Sequence, residues 1–515
     1  NDIDIRTLDG GVLVNGVGYK MYNNGGGTLN NSGVLENRDT LTNQVGATLT
    51  SSGRLTNKGT LTNDGALNST VGSQLTNIGG AINNKGTLIS EGTLISEGTL
   101  INSLSLTNDG VLENRDTLTN QVGATLTSSG RLTNAAGGEL TNGGTLNSTV
   151  GSQLSNRGTL TNNGTLTNDG TLISAGTVVN SLSLTNSGVL ENRDTLTNQV
   201  GATLTSSGRL NNAAGGELTN GGTLNNSGTL TNYADGTIEN SGTIENLGTI
   251  ENLGFVRNNE NGIINSNNTI SSYLITNTGT INGSINVRDS GGLFNHGTIN
   301  GDIDISAVTE NPEAYSANLG IINGNLDLKA GAQMIGNGTI NGSVTLGGRM
   351  RPGVYVGSVI TGNQTWIDGG VYRWQINDSE AIDGFDVMHI TATAGDQGVL
   401  DLSQLTTGGF GIELVTLNDL NRNNNPAKGF DDPNGEYEFV ILTTIGGITG
   451  FDAENFVIND DDFQNAGSWD WSIAQDGNNL VLSATGYTLV PEPSSLALLG
   501  MGGLGLLLRR KRSSC

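Results

Sequence analysis

From Leu35 onward the chain carries a sparse, regular apolar pattern. Aliphatic residues stand at Leu35, Leu41, Leu49, Leu55, Leu61, Leu67, Leu75, Ile82, Leu88, Leu94, Leu100 and Leu106, almost always six or eight apart, with polar residues and glycine between them. The local unit is Gly-Thr-Leu-x-Asn-x, clearest in GTLISEGTLISEGTL from Gly86 and GTIENSGTIENLGTIENLG from Gly236. One apolar residue in six is too sparse for an amphipathic helix, and a glycine in every unit makes a continuous helix costly. Threonine and leucine or isoleucine alternating with polar residues, closed by asparagine and glycine, predict a very short strand followed by a turn. Repeated at this spacing, such units predict a β-solenoid.

A longer period supports that expectation. The segment GVLENRDTLTNQVGATLTSSGRL occurs unchanged from Gly33, Gly110 and Gly188, so the long repeats are 77 and 78 residues. Each holds 12 aliphatic units, from Leu35 to Leu106 and from Leu112 to Leu184. Grouped in threes, rungs begin at Leu35, Leu55, Leu75, Leu94, Leu112 and onward to Leu230, and each duplication is four whole rungs. Two or four strands per rung also divide the count, so three is favoured rather than required. Each inward aliphatic side chain is covered by the next rung, at roughly 1.5 to 3 kcal/mol for full burial. Asparagines at the turns are expected to form side-chain ladders of the kind seen in stacked β structures. About 15 rungs between Leu35 and Leu346 would give a rod on the order of 70 Å long.

After about Asn258 the motif changes without stopping. GTINGSINV from Gly279, GTINGDIDI from Gly297, GIINGNLDL from Gly320 and GTINGSVTL from Gly338 follow one another at one rung each. The extra residues of the middle step, around Val308 to Asn318, predict a projecting loop. There Glu313 and Tyr315 read as solvated residues or as part of a contact surface. From Arg351 to Tyr487 the chain is richer in aromatic and acidic residues, and YEFVILT at Tyr437–Thr443 and LVLS at Leu480–Ser483 read as strands of a segment that caps the open end of the ladder.

The chain ends in a short polar motif, Val490-Pro491-Glu492-Pro493-Ser494, an apolar run from Ser495 to Leu508, and the cations Arg509, Arg510, Lys511 and Arg512. As a helix the apolar run would span on the order of 21 Å, short of the roughly 30 Å hydrocarbon core. Four adjacent cations would stay on the cytoplasmic side, snorkel, and halt export. This tail closely resembles the PEP-CTERM sorting domain of Gram-negative bacteria. The resemblance implies an exosortase in the inner membrane that recognises Pro491, Glu492 and Pro493 and cleaves near them, delivering the mature protein to the cell surface or exopolysaccharide matrix. The Gly-Thr-Leu-x-Asn units resemble filamentous-haemagglutinin repeats. The segment from Gly347 resembles the end of autotransporter passenger domains, which implies closure of a right-handed parallel β-helix. No membrane-spanning barrel follows that segment; the sorting tail stands in its place, so a separate route through the outer membrane is implied.

Composition narrows the function classes. The one cysteine, Cys515, would be lost with the tail, leaving no intrachain disulfide. The formal net charge of −25 argues against nucleic acid as a partner. Export requires a signal peptide, and the chain shows neither one nor an initiating Met, so Asn1 reads as a mature terminus or a truncation. His296 and His389 fall in different regions, and neither H-E-x-x-H, G-x-S-x-G nor P-loop motifs occur. Glu36, Arg38 and Asp39 recur as Glu113, Arg115, Asp116 and as Glu191, Arg193, Asp194, a regularity expected of surface ion pairs rather than of a catalytic site. Asp302 with Asp304, Asp431-Asp432 and Asp460-Asp461-Asp462 lack EF-hand spacing and read as solvated loop acids. Thr-Leu-Thr occurs ten times, but too scattered over the predicted faces for a continuous lattice, so these threonines read as strand formers.

The expectation is an all-β protein: an N-terminal cap (1–27), β-solenoid repeats (28–350), a β-rich end segment and cap (351–487), and a sorting signal with a short transmembrane helix (488–515). It acts as an exported structural or adhesin-like component of the surface or matrix. Expected partners are the exosortase, exopolysaccharide or other surface carbohydrate, and transiently the inner membrane. No catalytic residue, metal or cofactor is assigned. A polysaccharide-active β-helix enzyme and a calcium-dependent matrix protein are the alternatives.

Overall fold

A computed structural model describes residues 5–7, 11–306, 315–393, 395–418, 425–432 and 434–487. The chain divides into two compact units, Asn1–Arg349 with Ile360–Gly362, and Met350–Val359 with Asn363–Cys515. The fold is all-β; a 3-10 turn at Ala453–Asn455 is the only helical element among the described residues. No helix among them is long and apolar enough to cross a membrane. The sorting helix expected at 495–508 lies outside the described residues.

The first unit is a parallel β-solenoid of about 18 turns. Its strands are mostly four residues long and pair with the strand three places on, which settles three strands per turn. The first face stacks Val34–Asn37, Arg54–Asn57 and Gln74–Asn77. The second stacks Thr40–Asn43, Thr60–Asn63 and Ala81–Asn84, and the third Thr48–Ser51, Ala66–Ser69 and Thr87–Ser90. Leucine therefore sits on leucine in three columns, Leu35 on Leu55 on Leu75, Leu41 on Leu61 on Ile82, and Leu49 on Leu67 on Leu88, all fully buried. Leu35, Leu112 and Leu190 occupy one column four turns apart, so the long sequence repeat is a whole number of turns. Strands Val12–Asn15 and Lys20–Asn23 already pair in this manner with Val34–Asn37 and Thr40–Asn43.

Strand parity decides where the asparagines go. In Thr-Leu-x-Asn the leucine and asparagine are two apart and share a face, so the asparagine closes each strand pointing inward. The expected ladders exist, but in the core beside the corners rather than on the turns. On the second face the ladder is unbroken from Asn23 through Asn43, Asn63, Asn84 and onward to Asn318, each Nδ2 donating to the Oδ1 of the next turn at 2.7 to 2.9 Å. The same Nδ2 also reaches the main-chain carbonyl that opens the following strand in that next turn, as Asn43 does to Ala66 at 2.8 Å and Asn120 to Thr145 at 2.9 Å. Each amide thus ties two turns together at a corner.

Serine interrupts the other two ladders, and the interruptions follow one rule. Asn77 donates to Ser96, but Ser96 turns its hydroxyl to the Gly98 carbonyl at 2.8 Å, and Asn114 in the next turn has no donor for its Oδ1. Asn108, Asn168, Asn192 and Asn226 are left in the same condition above Ser90, Ser148, Ser174 and Ser206.

The corners explain the glycine of every unit. A Cβ on Gly53 would stand 2.1 Å from the Gly33 carbonyl oxygen, and one on Gly130 would stand 2.0 Å from that of Gly110. Eight-residue steps insert a tight turn such as Gln44-Val45-Gly46-Ala47, closed by Ala47 N to Gln44 O at 2.9 Å with Gly46 at φ 77°. In the region expected to be a loop at Val308 to Asn318, Ser316–Asn318 are instead a strand that continues the ladder, pairing Ala317 with Phe294. Glu313 lies outside the described residues.

The second unit keeps parallel pairing with longer strands. Val371–Ile376, Phe410–Thr416 and Phe456–Asp462 lie in register, and Glu436–Thr444 then pairs antiparallel with Asn479–Tyr487, which pairs antiparallel with Ser468–Asp476. Aromatic rings replace leucine in the core: Trp366 stacks on Phe410 at 4.2 Å, and Trp374 meets Phe439 at 5.2 Å. The buried Asp386 accepts Gly357 N at 2.8 Å and Gln375 N at 3.0 Å, and its carbonyl takes Trp374 Nε1 at 2.9 Å. Burial pushes its carboxyl well above the usual range, against the pull of those two amides.

Two substitutions test this account. Asn120→Ala removes one rung of the unbroken ladder and leaves Asn142 Oδ1 without its donor, so it should cost about 3 kcal/mol, with Asn120→Ser costing less. Amide hydrogen exchange in the neighbouring turns reads the difference. Gly130→Ala should cost about 3 kcal/mol or more, because the main chain of the previous turn occupies the space. Equal stability of Asn120→Ala and the parent would remove the ladder from the account.

Candidate functional site

Outward positions alternate with the buried leucines and asparagines, so each face offers two side chains per turn in axial register. The recurring charged triplets lie on this surface as ion pairs. Glu36 takes Arg38 at 3.0 Å and Lys58 of the next turn at 2.7 Å; Arg115 joins Glu113 at 2.8 Å and Glu97 at 2.5 Å; Arg193 joins Glu191 at 2.6 Å. Hydrogen bonds from Arg38 and then Lys58 hold the Glu36 carboxyl at about 2. Asp39 accepts Gly18 N at 2.7 Å, while Asp116 and Asp194 each face the hydroxyl of the following threonine at 3.4 Å.

Several of the acidic residues are engaged by neighbours within the chain. Asp302 and Asp304 line a groove of about 610 Å³ with Asp327, Asn286, Ser284 and Asn325. Lys329 pairs with Asp327 and stands 3.8 Å from Asp304, and Asp302 accepts Asn325 N at 2.8 Å. In the second unit Arg373 holds Asp462 at 3.1 Å, and Asp432 accepts Asn434 N at 2.9 Å. Among the described residues no group of three or more His, Cys, Asp or Glu is arranged to hold a metal ion. His296 is exposed on the first unit, and His389 shares a 2.9 Å hydrogen bond with Thr443 in the second. A second asparagine ladder runs outside the solenoid, from Asn341 through Asn323, Asn300 and Asn282 to Asn265, each Nδ2 donating to the preceding turn at 2.6 to 2.7 Å. Its direction is opposite to that of the buried ladder.

The solenoid departs from its threonine and asparagine monotony in one region that carries no local sequence motif. Tyr233, Phe255, Tyr273, Phe294 and Tyr315 recur at 18 to 22 residues, one aromatic ring per turn. Strand Thr249–Asn258 runs unbroken around the corner between the first and second faces, alternating buried and exposed, so Leu253, Phe255 and Arg257 all point outward. In the next turn Tyr273 occupies a bulge at the same corner, opposite Leu253. Phe255 then aligns with Leu274 and Gly292, and Phe294 meets Tyr315 edge-on at 5.7 Å. Phe255, Glu217, Thr219, Thr237, Glu239 and Arg257 line a cleft of about 350 Å³, in which Arg257 pairs with Glu239. The missed signal was aromatic spacing equal to the rung length.

The sorting residues Pro491, Glu492, Pro493, Arg509, Arg510, Lys511 and Arg512 lie outside the described residues. Comparison with family models supplies what geometry there does not. Residues 489–512 match the PEP-CTERM protein-sorting motif. Residues 22–59, 58–121, 98–136, 127–194 and 318–365 match the haemagglutinin repeat. No curated protein matches the chain.

The surface ion pairs have a pH signature. Because the Glu36 carboxyl is held below its usual 4.5 in the folded chain, its contribution is present above about 4.5 and is lost as pH falls toward 2. A carboxyl-carbon NMR titration should give a midpoint of about 2 for Glu36, shifting upward in Lys58→Met. A midpoint near 4.5 in the parent protein would show that the pair does not persist in solution.

Proposed function

We propose that the chain is an exported, adhesin-like β-solenoid whose C-terminal signal hands it to an exosortase, with cleavage near Pro491-Glu492-Pro493. The match of residues 489–512 to the sorting motif carries this reading, and the haemagglutinin repeats on a solenoid frame support the adhesin-like part of it. The apolar run would hold the precursor in the inner membrane, with Arg509, Arg510, Lys511 and Arg512 on the cytoplasmic side. Cleavage would then release the solenoid to the surface or exopolysaccharide matrix of a Gram-negative cell. The helix would be right-handed, the hand that twisted parallel strands favour in their crossovers.

The mechanism is extended display without catalysis. A stiff stack carries repeated outward side chains, so many weak contacts along one molecule give avidity that no single pocket supplies. Surface carbohydrate is the natural counterpart, since a chain of net charge −25 repels nucleic acid. Release of reducing sugar from matrix polysaccharide would overturn the non-catalytic reading.

Expression in hosts with and without an exosortase, for the parent and for a Pro491→Ala, Pro493→Ala variant, tests the sorting step. The expected result is a shortened protein in the outer fraction that requires both enzyme and motif. A full-length, membrane-retained product in every case would reduce the tail to an anchor.

A further inference from the structure

We propose that the aromatic strip around Phe255 and Tyr273 is a binding site for a neutral polysaccharide chain lying along the solenoid axis. The proposal rests on the adhesin-like reading and names a ligand class and a place for it. The five rings stand one per turn in five successive turns, so each turn advances the strip along the axis by roughly 4.8 Å, comparable to one pyranose, while the register staggers them sideways: Tyr315 falls in the column of Phe255, Phe294 in that of Arg257, and Tyr273 at the corner. Tyr233, Phe255, Tyr273 and Tyr315 are 39, 41, 40 and 41% exposed, each part-buried with the rest of its surface open to solvent. Such rings present flat, polarised faces to the axial C–H groups of sugars.

Gly292 is buried and makes room for the strip's own ring, since a Cβ there would stand 3.0 Å from Phe294 Cε2. It sits between Leu274 and Tyr315, and a Cβ there would stand 3.4 Å from Leu274 Cδ1 and 3.2 Å from the Tyr315 carbonyl. The cleft at one end of the strip supplies the polar half of sugar recognition. Glu217 and Glu239 are carboxylate acceptors for pairs of sugar hydroxyls, and Thr219 and Thr237 add hydroxyls. Arg257 is already paired with Glu239. With two carboxylates at the rim and a strongly acidic chain behind them, uronate or sulfated polymers are repelled and neutral ones admitted.

Native gel electrophoresis of the full chain through gels containing hydroxyethylcellulose, dextran or mannan tests the proposal. At least one polysaccharide should retard the protein, and Phe255→Ala with Tyr273→Ala should weaken that interaction by about tenfold. Phe255→Trp should retain it, and Thr145→Ala, elsewhere on the solenoid, should leave it unchanged. A measurement without substitution guards against misfolded variants: the retarding polysaccharide should protect Tyr273 and Tyr315 from nitration by tetranitromethane, but not Tyr19 and Tyr22. Absence of retardation in all three gels, or retardation with no protection of Tyr273, overturns the site. So does loss of a concentration-dependent dimer, or of lipid-vesicle binding, in the double variant without any change in the gels, since the occupant would then be a second copy or a membrane. A protein that is correctly sorted yet not retarded would refute this site and leave the sorting reading intact.

Discussion

The hydrogen bond between stacked asparagine amides is the constraint from which the solenoid follows. A four-residue strand with a single leucine buries too little to fix its own corner, and the polar groups of that corner need partners away from water. Asparagine answers both needs from one side chain. Its amide binds the turn ahead through Oδ1 and through the main-chain carbonyl beyond the corner, and its own Oδ1 receives the turn behind. Because the chain of amides is aligned and buried, each bond polarises the next. Serine, which can donate locally and so need not pass the proton forward, shows the rule by breaking it: the orphaned oxygens of Asn114 and Asn192 sit directly after Ser96 and Ser174.

Much of this was legible in the sequence. The spacing of Leu35, Leu55 and Leu75 gave the column in which they stack, and three unchanged copies gave the four-turn block. The inward placement of Asn37 or Asn43 was also available, since leucine and asparagine two apart must share a face, yet composition pulled the reading toward a turn because asparagine is a frequent turn residue. Parity is the stronger constraint in a strand this short. The aromatic strip was harder to see because its members are a full turn apart and form no local motif. Tyr315 stands alone in its stretch of sequence, and its partner Phe294 becomes its neighbour only when the turns are stacked. The surplus residues before Ser316–Asn318 predict a loop through that stretch, whereas the chain has already rejoined the sheet there.

The two kinds of surface call for different readings. Where outward residues repeat with the period of the frame, as at Glu36, Glu113 and Glu191, their partners are other parts of the chain, and the acids around Asp304 likewise find Lys329. Where the outward pattern breaks while the buried one continues, as from Tyr233 to Tyr315, the frame no longer explains the choice of residue. In a solenoid, function is most visible where the surface departs from the period that the core maintains.

The whole-turn length of the long repeat has a genetic consequence. Recombination between neighbouring copies among the identical stretches that begin at Gly33, Gly110 and Gly188 would insert or delete 77 or 78 residues, and every strand beyond the exchange would return to the column it left. The buried amides would rejoin without a gap, and the faces would keep their orientation. Reach from the cell could therefore vary between lineages by increments of roughly 19 Å, four turns at a time, while the residues near the far end of the stack are inherited unaltered.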